Sequence, residues 1–391
     1  MDLRIGVVGM GARSELATYV DQPGQGSVVA AICDINPAIL ARHGDAFPHA
    51  VRAHDYRDLF GMDLNAVLIL TPDWTHEDIC VDFLEHSIPC FLEKPIAITT
   101  SGADRILQTA RNADTVLYVG HNMRHMPVVT QLRALIASGA IGEVKTIWCR
   151  HFVGNGGDYY FKDWHADRRY VNTLLLQKAA HDIDVIHWLA GAYTRKVSAF
   201  GDLAVYGQVT DRRSHDGELM GDWFSLDNWP PLAQKGLNPV VDVEDLSVVN
   251  MVLENGVIAT YQQCHFAPDY WRNYTVIGTQ GRIENFGDDG GDVIRLWNRR
   301  HHGLYPDGDA SFVIEEPQGS HGGADPRLIA EFLSVVRGDV VATTSPVGAR
   351  EAVATGCAAA DSLRAGGELR LIPPVDPDVA VYFATRTTDG Q

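Results

Sequence analysis

The stretch "LRIGVVGMGARSELATYV", residues 3 to 20, constrains the fold more than any other. Leu3 to Val8 reads as a buried strand, Gly9, Gly11 and Ser14 follow in G-x-G-x-x-S spacing, and a helical pattern begins behind them. In a strand-turn-helix unit the first glycine permits the tight turn and the second lets the backbone approach a pyrophosphate, while the third position needs a small side chain where helix meets strand. Ser14 is small enough. The helix N-terminus then offers amides and a positive dipole end to phosphate, with Arg13 in the same turn as a further cofactor contact.

A second apolar run, "SVVAAICDINP", ends in Asp34, about 20 residues beyond the turn. A carboxylate there accepts from adenosine ribose hydroxyls and repels a 2′-phosphate, and neither Ile35 nor Asn36 is the arginine that an NADP site favours. NAD is the expected cofactor. Further strand patterns at 66–72, 90–95 and 115–121 alternate with helical ones, so residues 1–122 read as an α/β domain, a doubly wound parallel sheet of the Rossmann kind. Ligands bind at the C-terminal strand ends of such sheets. Those ends carry Thr71, Pro72 and His76, then Glu93 and Lys94, then His121, Asn122 and Arg124. Lys94, set before a proline, points into the cofactor crevice.

With 391 residues, a second domain is expected. Residues 123–371 read as a substrate domain of the α/β kind, with strands at 144–153, 196–205, 246–255, 257–266 and 273–286 and helices at 325–337 and 347–365. The polar, turn-rich stretch 206–240 reads as an insertion or lid, and 372–391 as a C-terminal tail that wraps a neighbour or is disordered. Within this domain "LLLQKAAHDIDVIHWLAG", residues 174–191, has the period of one helix stopped by Gly191, and it places Lys178 and His181 one turn apart on the side opposite its main apolar stripe. Apolar residues continue that side, which predicts a pocket wall.

The formal net charge of −18 opposes nonspecific binding to nucleic acid and to anionic membranes. No apolar run approaches the roughly 20 residues of a membrane span, and "MDLRIGVVG" enters a strand without a signal-peptide pattern, so a cytoplasmic protein is expected. Six cysteines are scattered without a C-x-x-C pair, and the histidines and acids lack metal-ligand spacing; no metal and no disulfide framework are expected. Against the acidic background "KDWHADRRY", residues 162–170, is locally basic, and Arg168 and Arg169 are candidates for holding a substrate anion. Tyr160 and Trp164 are candidates for stacking on a sugar ring.

The ordered series "GVVGMGARS", "TPDWTH", "FLEKPIA", "VGHNMRHMP", "IGEVKTIWCRH", "KAAHDIDVIHWLAG", "VIGTQGRIEN" and "HGGAD" resembles the Gfo/Idh/MocA family, relatives of glucose-fructose oxidoreductase and inositol dehydrogenase, from near residue 3 to near 366. The resemblance implies a Rossmann domain followed by an α/β domain with an open, mostly antiparallel sheet, whose outer face pairs subunits into a homodimer or homotetramer. It implies NAD-dependent hydride transfer on a sugar, sugar derivative or glycoside, giving a keto-sugar, with Lys94 and His181 flanking the reacting hydroxyl. Asp184, one turn past His181, and Arg124 rank as substrate contacts. One departure stands out: many family dehydrogenases carry an aspartate four residues before that histidine, where this chain has Gln177 with Lys178 beside it. An aspartate would stabilise imidazolium, whereas a lysine depresses the histidine pKa and adds a donor. Lys178 is therefore a third catalytic candidate. The alternative is NAD-dependent glycoside cleavage, by oxidation, elimination, hydration and reduction, on an acidic or sulfonated sugar glycoside; a non-catalytic NAD and sugar sensor ranks third.

Overall fold

The computed structural model describes residues 2–316 and 319–388. Six strands, β1 (Leu3–Val8), β2 (Ser27–Cys33), β3 (Val51–Ala53), β4 (Ala66–Ile69), β5 (Cys90–Leu92) and β6 (Leu117–Val119), form one sheet in the order β3-β2-β1-β4-β5-β6, every pair parallel. This is the doubly wound order, with its switch point between β1 and β4. Apart from the edge strand β3, the strands are short and largely buried on both faces, as helix-covered parallel strands must be.

The second sheet has nine strands: β7 (Val144–Phe152), β8 (Thr194–Asp202), β9 (Leu246–Leu253), β10 (Ile258–Cys264), β11 (Trp271–Gly278), β12 (Arg282–Phe286), β13 (Val293–Trp297), β14 (Ala310–Val313) and β15 (Arg370–Leu371). Their order is β14-β13-β12-β11-β7-β10-β9-β8-β15, antiparallel apart from the β7–β10 pair. Alternation sets its two faces. Ile147, Cys149 and His151 of β7, Tyr261 of β10 and Arg272 and Tyr274 of β11 face inward and are buried, while Trp148, Phe200, Ile258 and Ile277 remain exposed.

Two expectations are corrected in detail. The stretch 273–286 is two strands, because Thr279–Gly281 turns the chain back onto itself, with Gly278 donating to Gly281. The single helix over 174–191 is two helices, Leu174–Gln177 and Ala179–Ala190, broken at Lys178 (φ −107°, ψ −47°). Gly191 closes the second in the left-handed region (φ 68°). The break redirects Lys178 relative to the helix behind it. Ile183, Ile186 and Leu189 anchor that helix on the inner face of the second sheet.

Several later segments return to the first sheet. The segment Ser320–Arg337, whose helix is interrupted by left-handed backbone at His321, Gly322 and Gly323 (φ 48°, 60° and 73°), packs Leu328, Ile329 and Phe332 against Ile5, Val7 and Tyr118. The helix Pro346–Arg364 lies between the two sheets, with Val353 in the core of the first and Ala352 and Ala359 in that of the second. Residues 377–384 of the tail form a helix whose Val379 and Phe383 enter the first sheet's core. The 206–240 stretch folds back on the segment 153–174, where Tyr206, Val209 and Leu237 pack with Val153, Phe161 and Val171.

Candidate active site

The glycine turn is built to receive a phosphate. Gly9 sits at φ +91°, and a Cβ there would lie 2.7 Å from the backbone of Leu70, so only glycine fits; a Cβ on Gly11 would meet nothing within 4 Å, which leaves the backbone bare on the open side. The amides of Gly11, Ala12 and Arg13 have no acceptor among the described residues. Ser14 is buried. The helix behind them starts late, at Leu16, because residues 12–15 form tight turns.

Asp34 closes the same crevice from the end of β2. One carboxylate oxygen accepts from the amide of Met10 (2.9 Å) and the other from that of Asn36 (2.8 Å), which fixes it beside the turn with room to accept from ribose hydroxyls. The bare turn and the positioned acid fit NAD. Arg13 is engaged elsewhere: it donates twice to Asp325 (2.8 and 3.0 Å) and lies 3.5 Å from Glu93. Asn122 donates to Asp325 as well (3.0 Å), as does Ser320 (2.8 Å), and the His321 ring lies 2.8 Å from it. Burial would raise the Asp325 carboxyl, but hydrogen bonds from His321 and Arg13 hold it well below the usual carboxylate range. Arg13, Glu93 and Asn122 thus tie three turns to the helix Ser320–Arg337 around one acid.

His76 is likewise a clamp. Its two ring nitrogens lie 2.8 Å from the carbonyl of Thr71 and 2.7 Å from that of Pro95, joining the turn after β4 to the cis Lys94–Pro95 turn after β5. Thr71 Oγ1 accepts from Thr75 (2.7 Å), and Pro72 opens the turn Asp73–Thr75.

Across the crevice stands the helix break. Lys94 Nζ donates to the carbonyl of Gln177 (3.1 Å), which links the first sheet to the start of the substrate helix. Desolvation lowers the Lys94 pKa against the opposing pull of Glu93 and Asp73. His181 is 8% exposed; its Nδ1 is enclosed without a hydrogen-bond partner, and its Nε2 is open to the site. Burial holds its pKa well below the ordinary value, and Lys94, His121, Arg272 and Lys178 add to the effect. The ring is therefore neutral at physiological pH, the state that accepts a proton.

The Lys178 ammonium makes no hydrogen bond or ion pair among the described residues and sits 5.7 Å from the centroid of Tyr160. Burial, then Arg272 and Lys94, lower its pKa to about 7. Beneath it lies a buried polar nexus that the sequence reading missed. Asp182 receives His151 (2.9 Å), Tyr261 (3.2 Å) and Tyr274, and Arg272 Nε lies 3.2 Å away. The period-2 pattern of β11 carried a signal, since it places Arg272 on the same inward side as Tyr274 and Val276. His121, which the sequence places at a strand end without a role, has both ring nitrogens enclosed without a hydrogen bond and its ring centroid 6.1 Å from that of His181.

The remaining candidates fall into three groups. Arg124 and Asp184 hold one another, Nε to Oδ2 at 2.8 Å and Nη2 to Oδ1 at 2.7 Å, at 5% and 1% exposure. Tyr160 lies under Lys178, and Trp164 stacks on His165 with centroids 3.6 Å apart and meets Trp74 edge-on at 5.1 Å, forming an aromatic wall. The basic cluster is neutralised locally: Arg168 pairs with Glu244 (2.8 Å), Arg169 with Asp167, and Lys162 with Asp158. Each of these three cations therefore has a carboxylate partner of its own.

A parallel sheet with this turn, this acid and a lysine at the strand end defines an NAD-binding oxidoreductase. The chain belongs to the Gfo/Idh/MocA family: residues 3–121 match the family's NAD-binding Rossmann fold and residues 129–284 its C-terminal domain. Bacillus subtilis YteT, named as an oxidoreductase, is 24% identical over 306 residues, which cover 68% of this chain and 71% of that one. Inositol 2-dehydrogenase of Klebsiella pneumoniae is 32% identical over 203 residues, 50% of this chain and 57% of its own length, so the chain spans little more than half of that relative. Among solved structures, levoglucosan dehydrogenase in complex with NADH and levoglucosan superposes with a TM-score of 0.76 at 18% identity, over 96% of this chain and 100% of that one. GenD2 from gentamicin A biosynthesis, in complex with NAD, gives 0.73 at 18%, over 95% and 97%. These two likenesses are of fold. Among the described residues no helix is long and apolar enough to cross a membrane.

Proposed function

We propose that this protein oxidises a secondary hydroxyl of a sugar or sugar derivative to a ketone, with NAD as the hydride acceptor. The observation that supports the reading is the Lys94–Gln177 bond (3.1 Å), which joins the turn bearing Lys94 to the start of the helix bearing His181, whose ring feels the Lys94 charge. Bound NAD supplies an acceptor for the hydride of the carbinol C–H. The bare amides and Gly11 would hold its pyrophosphate and Asp34 its ribose hydroxyls. His181, neutral and open at Nε2, takes the hydroxyl proton, and the Lys94 ammonium stabilises the negative charge that develops on the oxygen. The apolar and aromatic wall excludes water. Relatives named as inositol and levoglucosan dehydrogenases support a polyol or sugar substrate.

The test is incubation of the purified protein with NAD and a panel of neutral, carboxylated and sulfonated sugars and their aryl glycosides, with NADH absorbance and aglycone release followed together. Stoichiometric NADH from free sugars is the expected result; no NADH and no release from any member would remove the reading.

One observation favours a second reading. Lys178 is an amine without a polar partner, its pKa lowered to about 7, beside the proposed oxidation centre. After oxidation, a neutral Lys178 would take the proton from the carbon next to the ketone, the freed electron pair would form a double bond to the adjoining carbon as the aglycone left with the electrons of its C–O bond, water would add across the double bond, and return of the hydride from NADH to the ketone would complete glycoside cleavage. Aglycone release with catalytic NAD and no NADH build-up would establish this course.

We further propose a cytoplasmic homodimer or homotetramer, supported by the exposed Trp148, Phe200, Ile258 and Ile277 on the uncovered face of the second sheet. Light scattering of the purified protein tests the subunit number; a monomer would refute it.

A further inference from the structure

His181 is badly placed to keep a proton. Lys94, Lys178 and Arg272 all act on it as positive charges, and no carboxylate among the described residues bonds to its ring. At the position four residues earlier the chain offers Gln177, whose side-chain oxygen is itself enclosed without a partner. An imidazolium formed there by proton abstraction has to pass its proton on.

Beside it, with an acid at hand, stands His121. Its ring lies edge-on to that of His181, 81° between planes. Its Nδ1 is 3.5 Å from Asp184 Oδ2, and Asp184 is locked by the two Arg124 bonds at 2.8 and 2.7 Å. Asp184 remains a carboxylate: desolvation would raise its pKa, but Arg124 and His121 lower it below the usual value. Burial lowers the His121 pKa; Asp184 on the helix Ala179–Ala190 and Glu93 after β5 oppose that, Arg124 in its own turn and Lys94 after β5 add to it, and His181 and His187 face it from the same helix as Asp184. His121 Nε2 and His181 Nδ1 are both enclosed without a hydrogen bond among the described residues, and one water has the hydrogen-bonding capacity to join the rings.

We propose that His121 is a positioning residue of the reacting site: through a bridging water it receives the proton that His181 removes from the substrate hydroxyl, with Asp184 and Arg124 holding it in place. The inference rests on the oxidation reading above. The step balances. The hydroxyl proton goes to His181 Nε2 while the carbinol hydride goes to NAD, and the proton on His181 Nδ1 leaves through the water to His121 Nε2, so that His181 ends neutral in its other tautomer and His121 ends as imidazolium beside the Asp184 carboxylate. Release from His121 to solvent, with return of His181 to its Nδ1–H tautomer, completes the turnover. His121 thereby supplies, from a strand end, the carboxylate-linked partner that position 177 lacks.

The experiment pairs kinetics with a titration. In His121→Asn, kcat near pH 7 is expected to fall about 10- to 100-fold, with substrate KM and NAD affinity within about twofold. The deficit should shrink as pH rises and solvent takes the proton directly, and added imidazole should restore part of the rate in His121→Ala. In 15N-histidine spectra of the whole protein, the His181 titration should move upward in His121→Asn, because a like charge has been removed. A wild-type kcat and pH profile in His121→Asn would overturn the proposal, and so would a His181 titration indifferent to that substitution. The titration needs no substrate, so it decides the pairing of the rings even if the wild-type protein oxidises none of the sugars, a result that would sink the oxidation reading instead.

Discussion

Lys94 Nζ donates to the backbone carbonyl of Gln177 at 3.1 Å, so the strand-end lysine of the first sheet is held at the helix break that presents Lys178 and His181. The bond aims the ammonium without neutralising it, because a carbonyl leaves the positive charge intact. Lys94→Met should therefore remove the charge at the reacting oxygen and lower kcat by about 10²- to 10³-fold, the range for loss of one such donor. NAD affinity, measured by fluorescence titration, should change little. A kcat within threefold of wild type would take Lys94 out of its role.

Asp34 does two jobs, accepting the amides of Met10 and Asn36 and facing the cofactor crevice. Its charge should favour two ribose hydroxyls over a 2′-phosphate. Asp34→Ala is expected to weaken NAD by about tenfold or more and NADP much less, so the ratio of the two dissociation constants moves toward one. Equal losses for both cofactors would mean that Asp34 only shapes the turn.

Much of the architecture was legible because it is written locally. The glycine turn, the acid at the end of β2 and the apolar runs of β4, β5 and β6 are each complete within a few residues, and the doubly wound order follows from their alternation with helices. The edge strands β14 and β15, and β13 next to β14, were not legible, since they are short and framed by polar loops. The site divides the same way. Lys94 and His181 stand out by type and position, but the environment of Lys178 depends on Arg272, which is 94 positions further along the chain, and on the register that sets β11 beside β7. Arg124, Asp184, Arg168 and Arg169 look like free charges in one dimension; their partners lie 60 and 76 residues away for Arg124 and Arg168, and two residues away for Arg169. Spacing alone does not tell a paired charge from an available one.

The Arg124–Asp184 pair makes its own prediction. Asp184→Leu leaves a buried guanidinium without its carboxylate, and breaking a buried pair from one side typically costs about 3–5 kcal/mol. The thermal midpoint should fall by several degrees. The double variant with Arg124→Met should recover part of the loss, because no charge is then stranded. A midpoint unchanged in Asp184→Leu would show that the pair carries no stability.

Lys178 ties stability to pH with a definite sign. Its folded pKa, about 7, lies below the ordinary lysine value of 10.5. Between those values the unfolded chain binds more protons than the folded one, so its contribution to stability rises with pH across that window. Below about pH 7 the lysine is charged in both states and the full cost of holding that charge in the site is present; above about 10.5 it is neutral in both and the cost is gone. Lys178→Met should therefore raise the thermal midpoint most at pH 6 and progressively less toward pH 10, relative to wild type at each pH. The same variant separates the two chemistries: a dehydrogenase should keep NADH production from free sugars, whereas a glycoside-cleaving enzyme should lose aglycone release while still oxidising the hydroxyl. A gain in midpoint that stayed constant from pH 6 to 10 would mean that Lys178 is protonated throughout, and its part as a neutral base would have to be given up.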